Sequence, residues 1–149
     1  MHIDVNNAYL SWTAIDLLNR GYKIDIRNIE SIIGGDESKR HGIVLAKSMV
    51  AKRKGVKTAE TIRDAKRKCN NLQIFPPNHT LYKKMSDSLF NLISKYTPDI
   101  EKLSIDECFI DYTHVRKLYG DPIKFAYKLK REIKEELGFT VNIAIANNK

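Results

Sequence analysis

Along this chain, apolar positions fall into short runs and helical stripes separated by turn residues. His2-Ile3-Asp4-Val5 is short, apolar and β-branched, which predicts a strand at residues 2–5. Asn6 or Asn7 is placed to cap a following helix, along which Tyr9, Trp12, Ile15 and Leu18 are spaced and which Gly21 ends. Residues 26–33 read as a strand running up to Gly34-Gly35, residues 42–46 as another, and basic helices are expected over 48–54 and 59–68. Pro76-Pro77 then breaks the pattern. Beyond it, Leu81, Met85, Leu89, Leu92 and Tyr96 form a helical stripe that stops before Pro98. Residues 100–105 and 108–112 look like a strand pair. Asp121-Pro122 opens a helix with Ala126, Leu129, Ile133 and Leu137 on one side and Gly138 at its end, and residues 139–145 form a last strand.

Without its middle third, the chain reads β-α, then α-β-β-α-β. That order predicts an α+β fold of ferredoxin-like type, an antiparallel sheet with helices on one face. The stretch from about residue 20 to 74 is then an insertion, a small α/β domain with a core of its own. No internal repeat or low-complexity segment interrupts this organisation.

Composition sharpens the picture at one place. The chain has 149 residues, 42% hydrophobic and 30% charged, with a net charge of +8, values that suit a folded domain with a real core. The excess is concentrated. From Lys39 to Lys68 there are eleven Lys and Arg against two acids, Glu60 and Asp64. Such a cluster points to a polyanion, either nucleic acid or a triphosphate, although a well-solvated helix face has the same composition. Cys69 and Cys108 lie far apart, outside any C-x-x-C pattern. They read as reduced thiols of an intracellular protein, and not as a disulfide framework or zinc site. No apolar run approaches the ~20 residues of a membrane span. Both ends read as interrupted, so a longer chain is expected.

The chemistry is expected where acids meet strand ends. Ser104-Ile105-Asp106-Glu107 closes one apolar segment and opens the next, while Asp4 lies in the first strand. In the ferredoxin-like order these strands are neighbours at the centre of the sheet. Asp4 is then expected to face Asp106, with Glu107 on the other side of its strand unless the turn re-aims it. Three converging carboxylates would repel one another until divalent metal neutralised them, and such a set can hold a pair of Mg²⁺ ions. Each acid also has a plain structural reading. Asp4 can simply end its strand and cap the next turn, and most Asp-Glu pairs are solvated loop charges.

At this point the residues carry a family resemblance. I-D-V-N-N-A-Y (3–9), A-K-S-M-V-A-K-R-K-G-V-K (46–57), Y-T-P-D-I-E-K-L-S-I-D-E-C-F-I-D (96–111) and I-A-I-A-N-N-K (143–149) resemble, in order and spacing, the N-terminal part of Y-family DNA polymerases of the bacterial translesion type. The likeness covers essentially the whole chain. It implies a polymerase palm at residues 1–17 and 74–149 and a fingers domain at 18–73, without the thumb and C-terminal DNA-binding domain. It implies a DNA-directed DNA polymerase of DNA repair and damage tolerance, of which these residues alone would be nearly inactive. Asp4, Asp106 and Glu107 match the family's metal-binding and catalytic acids, with the Val5 carbonyl as a further ligand of two Mg²⁺ ions, for which Mn²⁺ can substitute. Tyr9 matches the steric gate that excludes a ribose 2′-OH, although on spacing alone it is equally an ordinary buried helix tyrosine. Lys52 and Lys149 match triphosphate-binding positions. The implied partners are primer-template DNA, dNTP and a sliding clamp reached through the missing C-terminal part. No membrane is involved, and the implied location is cytoplasmic.

Four residues depart from the family pattern. Asn6 stands where many members have a second Asp, Met49 replaces a phosphate-touching Tyr, and Ala46 replaces a Thr or Ser. Lys52 supplies a point charge where an Arg would fork. Two other readings share parts of the pattern. Gly34-Gly35-Asp36-Glu37 suggests a diguanylate-type nucleotide cyclase, but it lies outside the expected palm and runs into Ser38-Lys39-Arg40 without an aromatic. A non-catalytic RRM-like nucleic-acid-binding domain would share the β-α-β layout, yet it would need an aromatic-rich strand where this chain has acids.

Overall fold

The computed structural model describes residues 1–35 and 42–148. Asp36, Glu37, Lys39, Arg40 and Lys149, all singled out above, lie outside the described residues. The chain forms two compact units, Met1–Asn6 with Tyr82–Lys149, and Asn7–Leu81.

The discontinuous unit is built on a four-stranded sheet. Its strands are β1 (His2–Val5), β5 (Ile100–Lys102), β6 (Glu107–Ile110) and β7 (Val141–Ala144), in the order β5-β6-β1-β7. All three pairings are antiparallel, with β1 between β6 and β7, which is the ferredoxin-like order expected from the sequence. Period-2 alternation assigns the faces. Ile3 and Val5 of β1, Cys108 and Ile110 of β6, and Val141 of β7 are buried, while His2, Asp4, Glu107 and Phe109 are partly exposed.

Helix α4 (His79–Ser94) enters this unit from Tyr82 onward and buries Tyr82, Ser86, Leu89, Phe90, Leu92 and Ile93. Helix α6 (Pro122–Leu137) buries Phe125, Ala126, Leu129 and Ile133. Asp121 caps α6 by accepting from the Ile123 and Lys124 N–H groups at 2.8 and 3.3 Å, with Pro122 in the first turn and Gly138 in the left-handed region at its end. A short helix, α5 (Arg116–Tyr119), which the sequence pattern did not reveal, precedes it. Tyr112 and Tyr119 lean on the Phe125 ring, with centroids 4.9 and 5.4 Å away. The Tyr96 hydroxyl meets the Glu132 carboxylate. Burial and that carboxylate push its pKa up to about 12, so it stays a donor.

The contiguous unit has a three-stranded sheet of β2 (Ser31–Gly34), β3 (Val44–Lys47) and β4 (Gln73–Phe75), in the order β3-β2-β4. The β2–β3 pair is antiparallel and β2–β4 parallel. Around it stand α1 (Ala8–Asn19), α2 (Met49–Arg53) and α3 (Ile62–Lys68). Ser48 and Thr61 cap α2 and α3 by accepting from the Ala51 and Asp64 N–H groups at 3.1 Å each. Two apolar clusters hold the unit. One gathers Ile32, Val44, Ala51, Val56, Ile62, Ala65 and Cys69, and the other Leu10, Ala14, Ile26, Ile33 and Ala46.

Several local expectations are corrected here. The strand predicted from residue 26 begins only at Ser31, because residues 26–28 form a 3₁₀ turn capped by Asp25. Strand β4 was hidden by its three-residue length. Helix α3 starts at Ile62 and not at 59, since Ala59 has a φ of 72°, which no helix accommodates. Asn7 occupies the cap position of α1 without capping it, and its side-chain amide donates instead to the Lys47 carbonyl at 2.7 Å. The Tyr9, Trp12, Ile15, Leu18 stripe is not the buried face of α1. Leu10 through Ala14 are buried without a break, while Leu18 is exposed, and a helix enclosed all round carries no readable period.

Gly34 closes β2 at a register shift, where an added Cβ would lie 2.9 Å from Ile62 Cδ1 and 3.2 Å from the Ile43 carbonyl oxygen. Gly34→Ala should therefore lose about 1–3 kcal/mol through overpacking. Urea denaturation checks this, and an unchanged midpoint would mean that the bulge relaxes freely.

Candidate metal centre

The centre of the four-stranded sheet is where acids gather. Antiparallel register puts the Asp4 and Glu107 Cα atoms directly opposite each other, so their side chains share the open face of the sheet, with Cβ atoms about 5 Å apart. On the other flank of β1, Asp4 is opposite the exposed Asn142. Asp106 occupies the bend that leads into β6, and its carbonyl accepts from the Val5 N–H at 2.9 Å. This reverses one expectation. Glu107 is the cross-strand partner of Asp4, and Asp106 belongs to the bend. The reason is that pairing with β1 carries β6 back to Glu107, one residue earlier than the apolar pattern indicated, while β5 stops at Lys102, opposite Cys108.

The bend is closely tied. Leu103 and Ser104 donate their N–H groups to the Glu107 carbonyl at 3.0 and 3.3 Å, and the Ser104 hydroxyl donates to Asp106 Oδ1 at 2.7 Å. His2, which the sequence reading passed over, lies on the same face. Its Nε2 is 3.5 Å from Glu107 Oε2, and its ring lies 4.9 Å from that of Phe109. The signal for it was present: His2 is two residues from Asp4 on the same strand, hence on the same face.

Partial burial pushes the Asp4 carboxyl above the usual carboxylate range, and repulsion from Asp106 and Glu107 adds to it, with His2 acting weakly the other way. Oxygen-only acids held in mutual repulsion fit a hard divalent cation such as Mg²⁺. As the side chains stand, no group of three or more His, Cys, Asp or Glu among the described residues is gathered closely enough to hold a metal ion. Asp106 is turned to Ser104 and Glu107 to His2. Cys108, next in sequence, is no ligand. It is buried on the opposite face, and burial raises its thiol pKa to about 11.

Asn6 donates its side-chain amide to the Thr140 hydroxyl at 2.9 Å and its N–H to the Thr140 carbonyl at 2.9 Å. It thus pins the start of the segment leaving β1.

The remaining candidates belong to the contiguous unit. Tyr9 packs, half-buried, on the Leu10–Ile33 cluster, with its ring edge-on to His79 at 6.5 Å. Lys52 is exposed in the last turn of α2, Met49 is exposed at its start, and Ala46 is buried in β3. Some basic side chains here are paired, Lys54 with Glu30, Lys68 with Glu60 at 2.6 Å and Arg67 with Asp64 at 3.6 Å. Arg53, Lys57 and Arg63 extend the exposed positive charge around Lys52 in sequence.

Similarity to known proteins gives the class. Residues 3–149 match the impB/mucB/samB family, and the chain belongs to it. Over 149 residues it is 52% identical to the DNA polymerase IV of Clostridium acetobutylicum, covering 99% of this chain and 37% of that protein. It is 38% identical to the DNA polymerase IV of Acetivibrio thermocellus, covering 100% of this chain and 36% of that one. Among solved structures, DinB from Sulfolobus solfataricus superposes with a TM-score of 0.81 at 27% identity, over 99% of this chain and 42% of that chain. The structure titled as an insertion ternary complex of Dbh DNA polymerase gives 0.80 at 28%, with the same coverage. The Y-family resemblance read from the motifs thus holds along the whole chain. The chain spans about 37% of the length of the first of these relatives. No helix among the described residues is long and apolar enough to cross a membrane.

The raised Asp4 pKa has a thermodynamic consequence. An ionised carboxylate whose folded-state pKa lies above its unfolded value costs stability at neutral pH, and the cost disappears as pH falls through the folded and then the unfolded value. Asp4→Asn should therefore melt higher than the parent chain at pH 7 in EDTA, by about 2–4 °C for each kcal/mol relieved. The advantage should vanish below the ordinary carboxylate range. Calorimetry across pH tests this, and a variant that melts lower at pH 7 contradicts the assigned repulsion.

Proposed function

We propose that these residues are the palm and fingers of a translesion DNA polymerase that transfers a nucleotide from dNTP to a primer 3′-OH with release of pyrophosphate. The observation that carries this reading is Asp4 in register with Glu107 on the open face of the two central strands, with Asp106 in the adjoining bend. Membership of the family supports it. The palm corresponds to residues 1–17 and 74–149 and the fingers to 18–73, although α1 groups by its contacts with β2 and β3.

In this reading Asp4, Asp106 and Glu107, with the Val5 carbonyl, would hold two Mg²⁺ ions. When bound, such ions activate the primer hydroxyl and neutralise charge on the phosphates. The protein's own share is positional. The β1–β6 register fixes Asp4 against Glu107, and the bend carries Asp106. Tyr9 lies under the incoming sugar and rejects a 2′-OH by collision, a discrimination that uses no hydrogen bond. Lys52 and Lys149 neutralise the triphosphate, and the exposed cations of α2 and α3 draw the nucleotide and template. Primer-template DNA and dNTP are the substrates, a sliding clamp is engaged outside these residues, and the setting is cytoplasmic.

An RRM-like nucleic-acid-binding role is the second reading, and metal dependence separates the two. A chimera in which this chain replaces the matching stretch of the Clostridium acetobutylicum polymerase tests the first. Primer extension should require Mg²⁺ or Mn²⁺, and Asp106→Ala should reduce it to background without lowering the melting temperature. Extension near the parent rate by a folded Asp106→Ala chimera would sink the assignment. In the same chimera, Tyr9→Ala should raise CTP use relative to dCTP about tenfold or more. An unchanged ratio means that Tyr9 is only a core residue.

The chain by itself should bind primer-template DNA loosely, with affinity falling steeply as salt rises, because phosphate contacts release counterions. It should extend primers barely, if at all. Anisotropy across a salt series beside an extension gel decides this, and tight binding at moderate salt would contradict it.

A further inference from the structure

Helix α4 presents a buried stripe in which one residue is out of character. Tyr82, Leu89 and Ile93 are fully buried along it, and Ser86, one turn after Tyr82, is 5% exposed among them. A buried hydroxyl costs stability unless it finds a partner. The usual one for a helical Ser or Thr is the carbonyl four residues back. Ser88 of the same helix takes it, donating to the Lys84 carbonyl at 3.0 Å, as does Thr13 of α1 toward Tyr9 at 2.8 Å. Ser86 does not. Its hydroxyl reaches out of the helix and donates to the main-chain carbonyl of Ile105.

Ile105 lies in the bend between β5 and β6, outside both strands and directly before Asp106. The Asp106 carbonyl is held by the Val5 N–H at 2.9 Å, and its carboxylate by the Ser104 hydroxyl at 2.7 Å. The peptide between Ile105 and Asp106 is therefore anchored on its carbonyl side by Ser86, and the residue after it by β1. With both anchors, the direction in which the Asp106 side chain leaves the bend is fixed.

We propose that Ser86 is a positioning residue for Asp106: through the Ile105 carbonyl it sets the aim of that carboxylate, and so the affinity of the acid cluster for divalent metal. This rests on the reading of Asp4, Asp106 and Glu107 as a metal centre. Ser86 touches neither metal nor substrate. It explains why a hydroxyl sits in a stripe that otherwise takes apolar side chains.

The test is Mn²⁺ binding by this chain, followed by electron paramagnetic resonance, with melting temperature recorded for every variant. Ser86→Ala should weaken Mn²⁺ about tenfold, the scale on which residues behind metal ligands act, while the fold persists. Ser86→Thr and Ser86→Val are nearly equal in volume and differ in the hydroxyl, so the pair isolates the hydrogen bond even if Ser86→Ala folds poorly. Thr should bind Mn²⁺ more tightly than Val at matched melting temperature. Equal affinities for Thr and Val, or parent-like binding by Ser86→Ala, overturn the proposal. Asp106→Asn distinguishes the two levels. If it binds Mn²⁺ like the parent chain, the metal centre itself is wrong and Ser86 has nothing to position; if it loses binding while Ser86→Ala does not, only the role of Ser86 falls.

Discussion

Strand β1 is four residues long and is hydrogen-bonded along both edges, to β6 on one side and β7 on the other. Everything chemical in the discontinuous unit is positioned by that double pairing. It sets Asp4 across from Glu107, brings the Val5 N–H to the Asp106 carbonyl, and leaves His2 beside Phe109. A slip of β1 by one residue would turn His2 and Asp4 toward the helices and Ile3 and Val5 toward solvent. The apolar side chains that forbid the slip therefore also hold the carboxylates on the open face.

Much of this was legible beforehand, for identifiable reasons. β1, α6 and the outer topology rest on strong local signals: a β-branched run, an Asp-Pro opening with a Gly stop, and a clear apolar stripe. What the sequence concealed depends on contacts distant along the chain. The three-residue β4 is a strand because β2 offers it a parallel edge, and nothing within it announces that. Asn7 is well suited to cap a helix, yet the Lys47 carbonyl draws its amide away. Helix α1 loses its period because it is enclosed on more than one side.

The acids show the same division. Their identity as a set came from chemistry and spacing, whereas their mutual orientation came from the β1–β6 register and the bend before it. Two residues next to the acids, His2 on their face and Ser86 behind their bend, could have been found only by asking which polar side chains share that face or interrupt a buried stripe. Asn6 illustrates a different limit. The sequence marks it as a departure from the family's second acid, while its structural task, binding Thr140 through both side chain and backbone, becomes visible only once β7 lies alongside.

The division of the chain into one contiguous and one discontinuous unit affects how it is made. Residues 7–81 hold their own contacts and leave the ribosome together, so they can fold as a domain while synthesis continues. β1 has already emerged by then, but its neighbours are residues 107–110 and 141–144. At 5–20 residues per second, the usual pace of translation, about 5 to 30 seconds pass before the last of them appears. Throughout that interval β1 presents two unpaired edges and a hydrophobic face, the features that recruit chaperones or stray strands. Its brevity and the charge on Asp4 are then also protective, making the nascent strand a poor template for aggregation until its partners arrive.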